Sequence, residues 1–224
     1  MQHKVLFKTN QIMEKNEVKQ TLDDIRDMMS KSSRFQAISG YSIIIVGLYA
    51  AVAAAIAAAL VGAVNLFPFF ENIDATLNTP AKIRLATIIA LSLFTLSLLT
   101  VFAMAIAKSK RHNLRFAFDK RMRQMLTDFF LPLAAGGLVS IALIMQQHYG
   151  LTSSIMLLFY GLALVNSSHY TYPALRWLGY AELALGIADC LTVKHAILFW
   201  FLGFSVMHII FGIVYVIMFE RKKF

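Results

Sequence analysis

From Gln36 to Val64 the chain passes without one formally charged side chain. An apolar run of that length reads as a membrane-spanning helix, because about 20 residues at 1.5 Å rise each cross the hydrocarbon core of a bilayer. Five further blocks follow the same logic: Ile83–Ala107, Phe129–Met145, Leu151–Asn166, Leu175–Leu191 and Ala196–Phe219. The fourth and fifth are short for a span and are expected to lengthen at their ends or sit in locally thinned bilayer. A chain of 224 residues would also suit one or two soluble domains. The composition argues otherwise, since 58% of residues are hydrophobic, only 15% are charged, and the apolar ones come in blocks. The expected fold is an all-α, polytopic bundle of six transmembrane helices at 36–219. A polar segment precedes it at 1–35, a basic loop lies at 108–128, and a basic tail closes it at 220–224. No secretory signal peptide is expected, because polar residues occupy the first thirty-five positions.

Lysine and arginine set the expected orientation. Seven precede the first apolar run, seven lie in the 108–128 loop, Arg176 opens the fifth span, and three close the chain. Only Lys82, Arg84 and Lys194 remain for the other side. Basic loops stay cytoplasmic, so both termini are expected inside a cell membrane. The net charge of +9 then points to anionic lipid at the cytoplasmic face rather than to nucleic acid.

Local signals support the boundaries. Asp128 is placed to cap the third span with Pro132 in its first turn. Tyr172-Pro173 opens the fifth, and the short link 146–150 predicts an antiparallel hairpin of spans three and four. In span one, Gly47, Ala51, Ala55, Ala59 and Ala63 recur at every fourth position. Such a stripe lets another helix approach closely, either within the bundle or as a homodimer seam.

Two segments outside the spans have amphipathic character. In 14–35, Val18, Leu22, Ile25 and Met29 share one helical face among mixed charges, which suits docking under the bundle, self-pairing or a cytoplasmic protein partner. In 108–130, Phe118, Met122, Met125 and Phe129 form a stripe flanked by Lys108, Lys110, Arg111, Arg115, Lys120, Arg121 and Arg123. That pattern fits an interfacial helix on anionic lipid better than an RNA-binding surface.

The residues 25–35, read with the Ala-rich first span, resemble the juxtamembrane start of uncharacterised bacterial membrane proteins with about six helices. The resemblance covers the first sixty residues or so. It implies a bacterial inner membrane and carries over no activity.

Chemistry is confined to a few polar residues at depth. Glu182 and Asp189 are seven residues apart, almost two helical turns, so they share a face with Gly179 and Gly186. Glu182 falls near the middle of span five and Asp189 near its outer end, where water, Lys194 or His195 are expected to satisfy it. A charged carboxylate at mid-membrane costs at least about 2.5 kcal/mol and faces protein or water. His208 lies at matching depth in span six, with Ser205, Gly212 and Tyr215 on its face. Glu182 and His208 are therefore expected to pair. The pair fixes helix register, supports reversible protonation or holds a cation. The remaining histidines are expected to be solvated. His195 and His208, about 20 Å apart along a helix, cannot share one metal or haem iron. The polar run 166–172 is expected at the inner interface.

No nucleophile elbow, Walker loop, dinucleotide fingerprint or zinc motif occurs, so an enzyme or haem protein has no positive support and no cofactor is expected. The reading favoured by sequence is a non-enzymatic regulatory or partner-binding membrane protein. Its rival is a small proton-coupled transporter or channel built on Glu182 and His208.

Overall fold

The computed structural model describes residues 22, 39–60, 79–111, 120–192 and 195–220. The chain divides into two units, Met1–Phe35 and Gln36–Phe224. The amphipathic 14–35 segment, Ala63, Phe118, Arg115, Lys194 and the basic tail lie outside the described residues, Leu22 apart. Among the described residues every regular element is helical: α1 (Gly40–Leu60), α2 (Pro80–Arg111), α3 (Lys120–Met145), α4 (Thr152–Ser167), α5 (Leu175–Thr192) and α6. The last is a succession of pieces at Ala196–Phe201, Leu202–Met207, His208–Tyr215 and Val216–Glu220, the second and fourth wound as π-helix. Five helical stretches are long and apolar enough to cross a membrane, which makes the chain a multi-pass membrane protein by its helical and apolar character. The exception is α5, where Arg176, Glu182 and Asp189 interrupt an otherwise apolar helix.

Glycines decide how closely these helices pack. A Cβ on Gly161 would lie 2.8 Å from the Gly179 carbonyl oxygen, and one on Gly179 would lie 2.8 Å from that of Gly161. Helices α4 and α5 therefore touch backbone to backbone, as small residues permit where lipid gives apolar burial no advantage. Gly40 and Gly212 bring α1 against α6 in the same manner, each facing the other's carbonyl oxygen at 3.0–3.1 Å from a built Cβ. A core of Ile43, Leu164, Leu175 and Leu178, with Phe129, Tyr160, Met207 and Phe211 packed around it, joins α1, α3, α4, α5 and α6. Helix α2 sits against α1 and leaves Ile88, Leu91 and Leu99 exposed, burying only Ala105 and Ser109.

Several expectations are corrected. The third span does not start at an Asp128 cap: α3 begins at Lys120, and Pro132 stands inside it. Proline removes the bond its N–H would make to the carbonyl four residues back, here that of Asp128. The Asp128 side chain instead accepts a hydrogen bond from Tyr170 in the α4–α5 connection, which holds the Tyr170 phenol above its ordinary pKa. The stripe Met122, Met125 and Phe129 is not a separate lipid-lying helix. Met122 is buried and Phe129 packs on the core, while Lys120, Arg121 and Arg123 turn outward. Lys108, Lys110 and Arg111 form the last turn of α2, where positive charge complements the helix dipole.

For the small-residue stripe of span one, only the reading as a continuous packing face within the bundle is corrected. Gly47 is buried against Ile209 and the Ser205 carbonyl, but Ala51 is half-buried and Ala55 and Ala59 are exposed. A four-residue step overshoots a helical turn by about 40°, so the series drifts off the packed face. The buried face is Ile43, Gly47, Ala50, Ala53 and Ala54. The run 166–172 turns three of its hydroxyls inward. Ser167, Ser168 and Thr171 are buried, and their hydroxyls donate to the carbonyls of Leu164, Val165 and Ser167.

The link between α3 and α4 closes as expected for a hairpin. Gln147 adopts a left-handed φ of 62°, and His148 N–H returns to the Leu143 carbonyl at 2.9 Å while Gln147 N–H returns to Ile144 at 3.1 Å. That is a Schellman ending with glutamine where glycine is usual. A short 3₁₀ turn, Tyr149–Leu151, then leads directly into α4.

Candidate functional site

Helices α4, α5 and α6 converge on one buried polar cluster. Glu182, from the middle of α5, is fully buried. It projects from the face that also carries Gly179 and Gly186, while Trp177, Tyr180 and Ile187 point outward. The two glycines let α4 close over that face: a Cβ on Gly186 would lie 2.9 Å from Leu158 Cγ. Burial of Glu182 thus follows from the same spacing that lets the helices touch.

His208 opens the helical piece that follows the π-wound segment Leu202–Met207. Its Nδ1 lies 3.4 Å from Glu182 Oε1 and 3.0 Å from the Gly203 carbonyl oxygen. Gly203 lies within that π-wound segment, so its carbonyl and the ring belong to neighbouring turns of α6. Gly203 is also where Glu182 finds room, since a Cβ there would stand 2.5 Å from Glu182 Oε2. On the other side of the imidazole, Nε2 meets the Tyr160 hydroxyl of α4 at 2.8 Å.

The ring is further held by stacking. Tyr160 lies 5.5 Å from the His208 ring at 24°, and Phe204 lies 6.2 Å away at 25°. Phe204 in turn touches Trp200 and Tyr160 at ring separations of 5.3 and 5.2 Å. These contacts fix the imidazole plane, so its two nitrogens address Glu182 and Tyr160 separately.

The hydrogen bonds are unevenly shared. His208 and Tyr160 are well provided for. Among the described residues, neither carboxyl oxygen of Glu182 has a hydrogen-bond partner, and neither does the buried Ser205 hydroxyl. The 3.4 Å approach of His208 Nδ1 is a charge-pair distance rather than a good hydrogen bond. Buried polar groups are ordinarily satisfied, so a bare buried carboxyl stands out.

The other residues singled out in the sequence fall elsewhere. Asp189 is not solvated: it is fully buried at the far end of α5, where the Ser153 hydroxyl of α4 donates to its Oδ2. Tyr215 is buried too, but it stacks with Tyr172, Phe211 and Phe219, away from Glu182. His148 and His169 are exposed, whereas His195 is only partly so. The sequence does not single out Tyr160, because a lone phenol within the apolar run 155–165 reads as core. The available signal was the phenol itself, which seeks a partner when buried in the middle of a span. Among the described residues no group of three or more His, Cys, Asp or Glu could hold a metal ion.

Chemically, the cluster can hold and pass a proton. With the ring proton on Nδ1, His208 donates to Gly203 and accepts the Tyr160 hydroxyl proton at Nε2. With it on Nε2, the ring donates to the Tyr160 oxygen and Nδ1 faces Glu182 as an acceptor. One imidazole therefore addresses a carboxyl on one side and a phenol on the other. Comparison with protein-family models, curated proteins and solved structures finds no match for this chain.

Proposed function

We propose that this chain is a six-span integral membrane protein that exchanges protons at Glu182 and His208, as a small proton-coupled transporter or channel would. The observation that carries the reading is the bare carboxyl of Glu182, buried on three helices with no hydrogen bond to either oxygen among the described residues. A residue kept only to pin helix register gains from complete hydrogen bonding, and a half-satisfied network is worse than an apolar contact. A residue that must take up and release a proton needs oxygens left open to do so. Glu182 and His208 share one proton at no net charge, either as neutral acid with neutral ring or as carboxylate with imidazolium. Loss of that proton leaves one buried negative charge, and regaining it restores neutrality.

The membrane assignment is supported by the apolar helices. The six-span reading counts α5 with them, because its charged residues Glu182 and Asp189 are buried against protein and its exposed face carries Trp177, Tyr180, Ile187 and Leu191. The division of basic residues, eighteen against three, supports cytoplasmic termini, and the resemblance of residues 25–35 and the first span to bacterial membrane proteins is what implies a bacterial inner membrane. The rival reading, a regulatory protein that binds partners through amphipathic cytoplasmic segments, loses one of its two supports because Met122 and Phe129 face the bundle.

The test is Glu182→Gln against Glu182→Leu in the full chain. The amide keeps size and hydrogen-bonding capacity but cannot ionise. Under this reading Glu182→Gln folds normally and loses proton-dependent activity, and Glu182→Leu loses it too, while His208 keeps its Gly203 and Tyr160 partners in both variants. Retention of full activity by Glu182→Gln refutes it.

A further inference from the structure

The imidazole of His208 is engaged at both nitrogens, and its two partners are not equivalent. The Gly203 carbonyl oxygen, 3.0 Å from Nδ1, can only accept. The Tyr160 hydroxyl, 2.8 Å from Nε2, can donate or accept. A neutral ring carries one N–H. The carbonyl calls for it on Nδ1, which leaves Nε2 as an acceptor for the phenol. The phenol ring is held by three others: it meets Phe129 at 6.4 Å and 81°, Phe204 at 5.2 Å and 45°, and His208 at 5.5 Å and 24°. Only its hydroxyl hydrogen can turn, about the C–O bond. Among the described residues, the titratable groups that meet the imidazole are Glu182 from α5 and Tyr160 from α4, while α1 and α3 bring Ile43 and Phe129 to the adjoining core.

We propose, resting on the proton-exchange reading of Glu182 and His208, that Tyr160 is the positioning residue of this site: its hydroxyl donates to Nε2 while the site lacks its exchangeable proton and accepts from Nε2–H once that proton is bound. In the proton-free form Glu182 is a carboxylate. The Nδ1 hydrogen then serves the Gly203 carbonyl and faces Glu182 Oε1 at 3.4 Å. Nε2 needs a donor, and the Tyr160 hydroxyl supplies it. Adding one proton changes this balance. If it rested on Glu182 with the ring hydrogen still on Nδ1, the acid hydroxyl would have no acceptor, because Nδ1 is occupied and neither carboxyl oxygen has another partner among the described residues. A buried donor left without a partner is penalised. With a hydrogen on Nε2 that penalty is avoided: the second hydrogen lies between Nδ1 and Glu182, and the Tyr160 oxygen accepts from Nε2–H. No bond of the phenol breaks, since its hydrogen only turns aside. One proton enters and the same number leaves on return, so no co-reactant is required. The direction of one hydroxyl thus follows the charge of the site.

The experiment is solid-state nuclear magnetic resonance on the full chain in phospholipid vesicles. The histidine rings carry 15N, and the tyrosine ring carbon that bears the hydroxyl carries 13C. Through-space coupling across the 2.8 Å contact picks out Tyr160 and His208 from the eight tyrosines and six histidines of the chain. From about pH 9 down to about pH 4, Nε2 is expected to pass from unprotonated to protonated. The Tyr160 carbon is expected to shift from its donor to its acceptor position with the same midpoint. Tyr160→Phe keeps the stacked ring and weakens proton uptake by about tenfold, because the imidazolium loses a charge-assisted bond where the neutral ring loses a weaker one. A packing role alone would leave uptake unchanged, and that result overturns the proposal. Should Tyr160→Phe fail to fold, the spectra of the parent chain decide. An Nε2 protonated at both ends of the range, or a Tyr160 carbon that stays in place while Nε2 titrates, overturns the reversal and leaves the proton-exchange reading intact. A Glu182–His208 pair that takes up no proton across the range overturns that reading and the reversal with it.

Discussion

Gly203→Ala tests whether the Glu182 carboxyl sits where the structure puts it. The added methyl would lie 2.5 Å from Glu182 Oε2, about 0.9 Å inside ordinary van der Waals contact at 3.4 Å. It would also press on the Leu157 Cδ2 methyl. Both neighbours are fully buried, so neither can swing into solvent. Overpacking of this kind costs about 1–3 kcal/mol. The alanine propensity gain in a helix interior, about 1 kcal/mol, offsets part of it. The sharper measurement is a double-mutant cycle. Glu182→Asp draws the carboxyl back by one methylene, about 1.5 Å, which clears most of the overlap. Gly203→Ala should therefore cost less by about 0.5–3 kcal/mol in the Glu182→Asp background. A second cycle with Leu157→Ala should recover the other half of the strain. Reversible unfolding in mixed micelles, read by helical circular dichroism, gives all the corners. If the Gly203 and Glu182 changes add to within about 0.5 kcal/mol, the two groups do not touch and the cluster geometry is wrong.

Three other perturbations reach separate parts of the structure. Tyr160→Phe removes the hydroxyl that meets His208 Nε2 at 2.8 Å and should cost about 1–3 kcal/mol in the same unfolding assay; no loss would mean that the contact is not made. Ala55→Leu should change stability by no more than about 0.5 kcal/mol, because Ala55 is exposed on α1; a change in oligomeric state by light scattering would instead identify that face as a homodimer seam. Single cysteines at positions 20, 115 and 222, placed in a Cys190→Ser background, should resist an impermeant reagent in intact cells, while one at 75 should react; labelling at 115 would reverse the orientation.

Much of the architecture was legible in the sequence because lipid simplifies the problem. Every backbone group in the hydrocarbon must be satisfied within its own helix, so length and apolarity alone locate the helices. The fourth to sixth helices start and end within two residues of their expected limits. The depth match of Glu182 and His208 was legible for the same reason, since a known rise per residue fixes position along each helix. On the third helix polarity and helix end part company. A basic amphipathic turn reads as a loop, yet it can continue a span when its apolar side has protein to cover it, as Met122 does.

Rotation about each helix axis was only half legible. On α5 a seven-residue spacing returns nearly to its starting angle, so the sequence alone puts Gly179, Glu182, Gly186 and Asp189 on one face, and all four are buried. On α1 the four-residue series drifts, so Gly47 is packed and Ala59 is not. What only the tertiary structure decided are the contacts between helices that no periodicity encodes. Glu182 comes from α5 beside His208, Tyr160 arrives from α4 at the far nitrogen, and Ser153 reaches Asp189 across thirty-six residues of chain. Sequence determines which side chains lie at a given depth and on a given face. Which of them meet depends on how closely the backbones approach, and that distance is set by the glycines of two helices acting together.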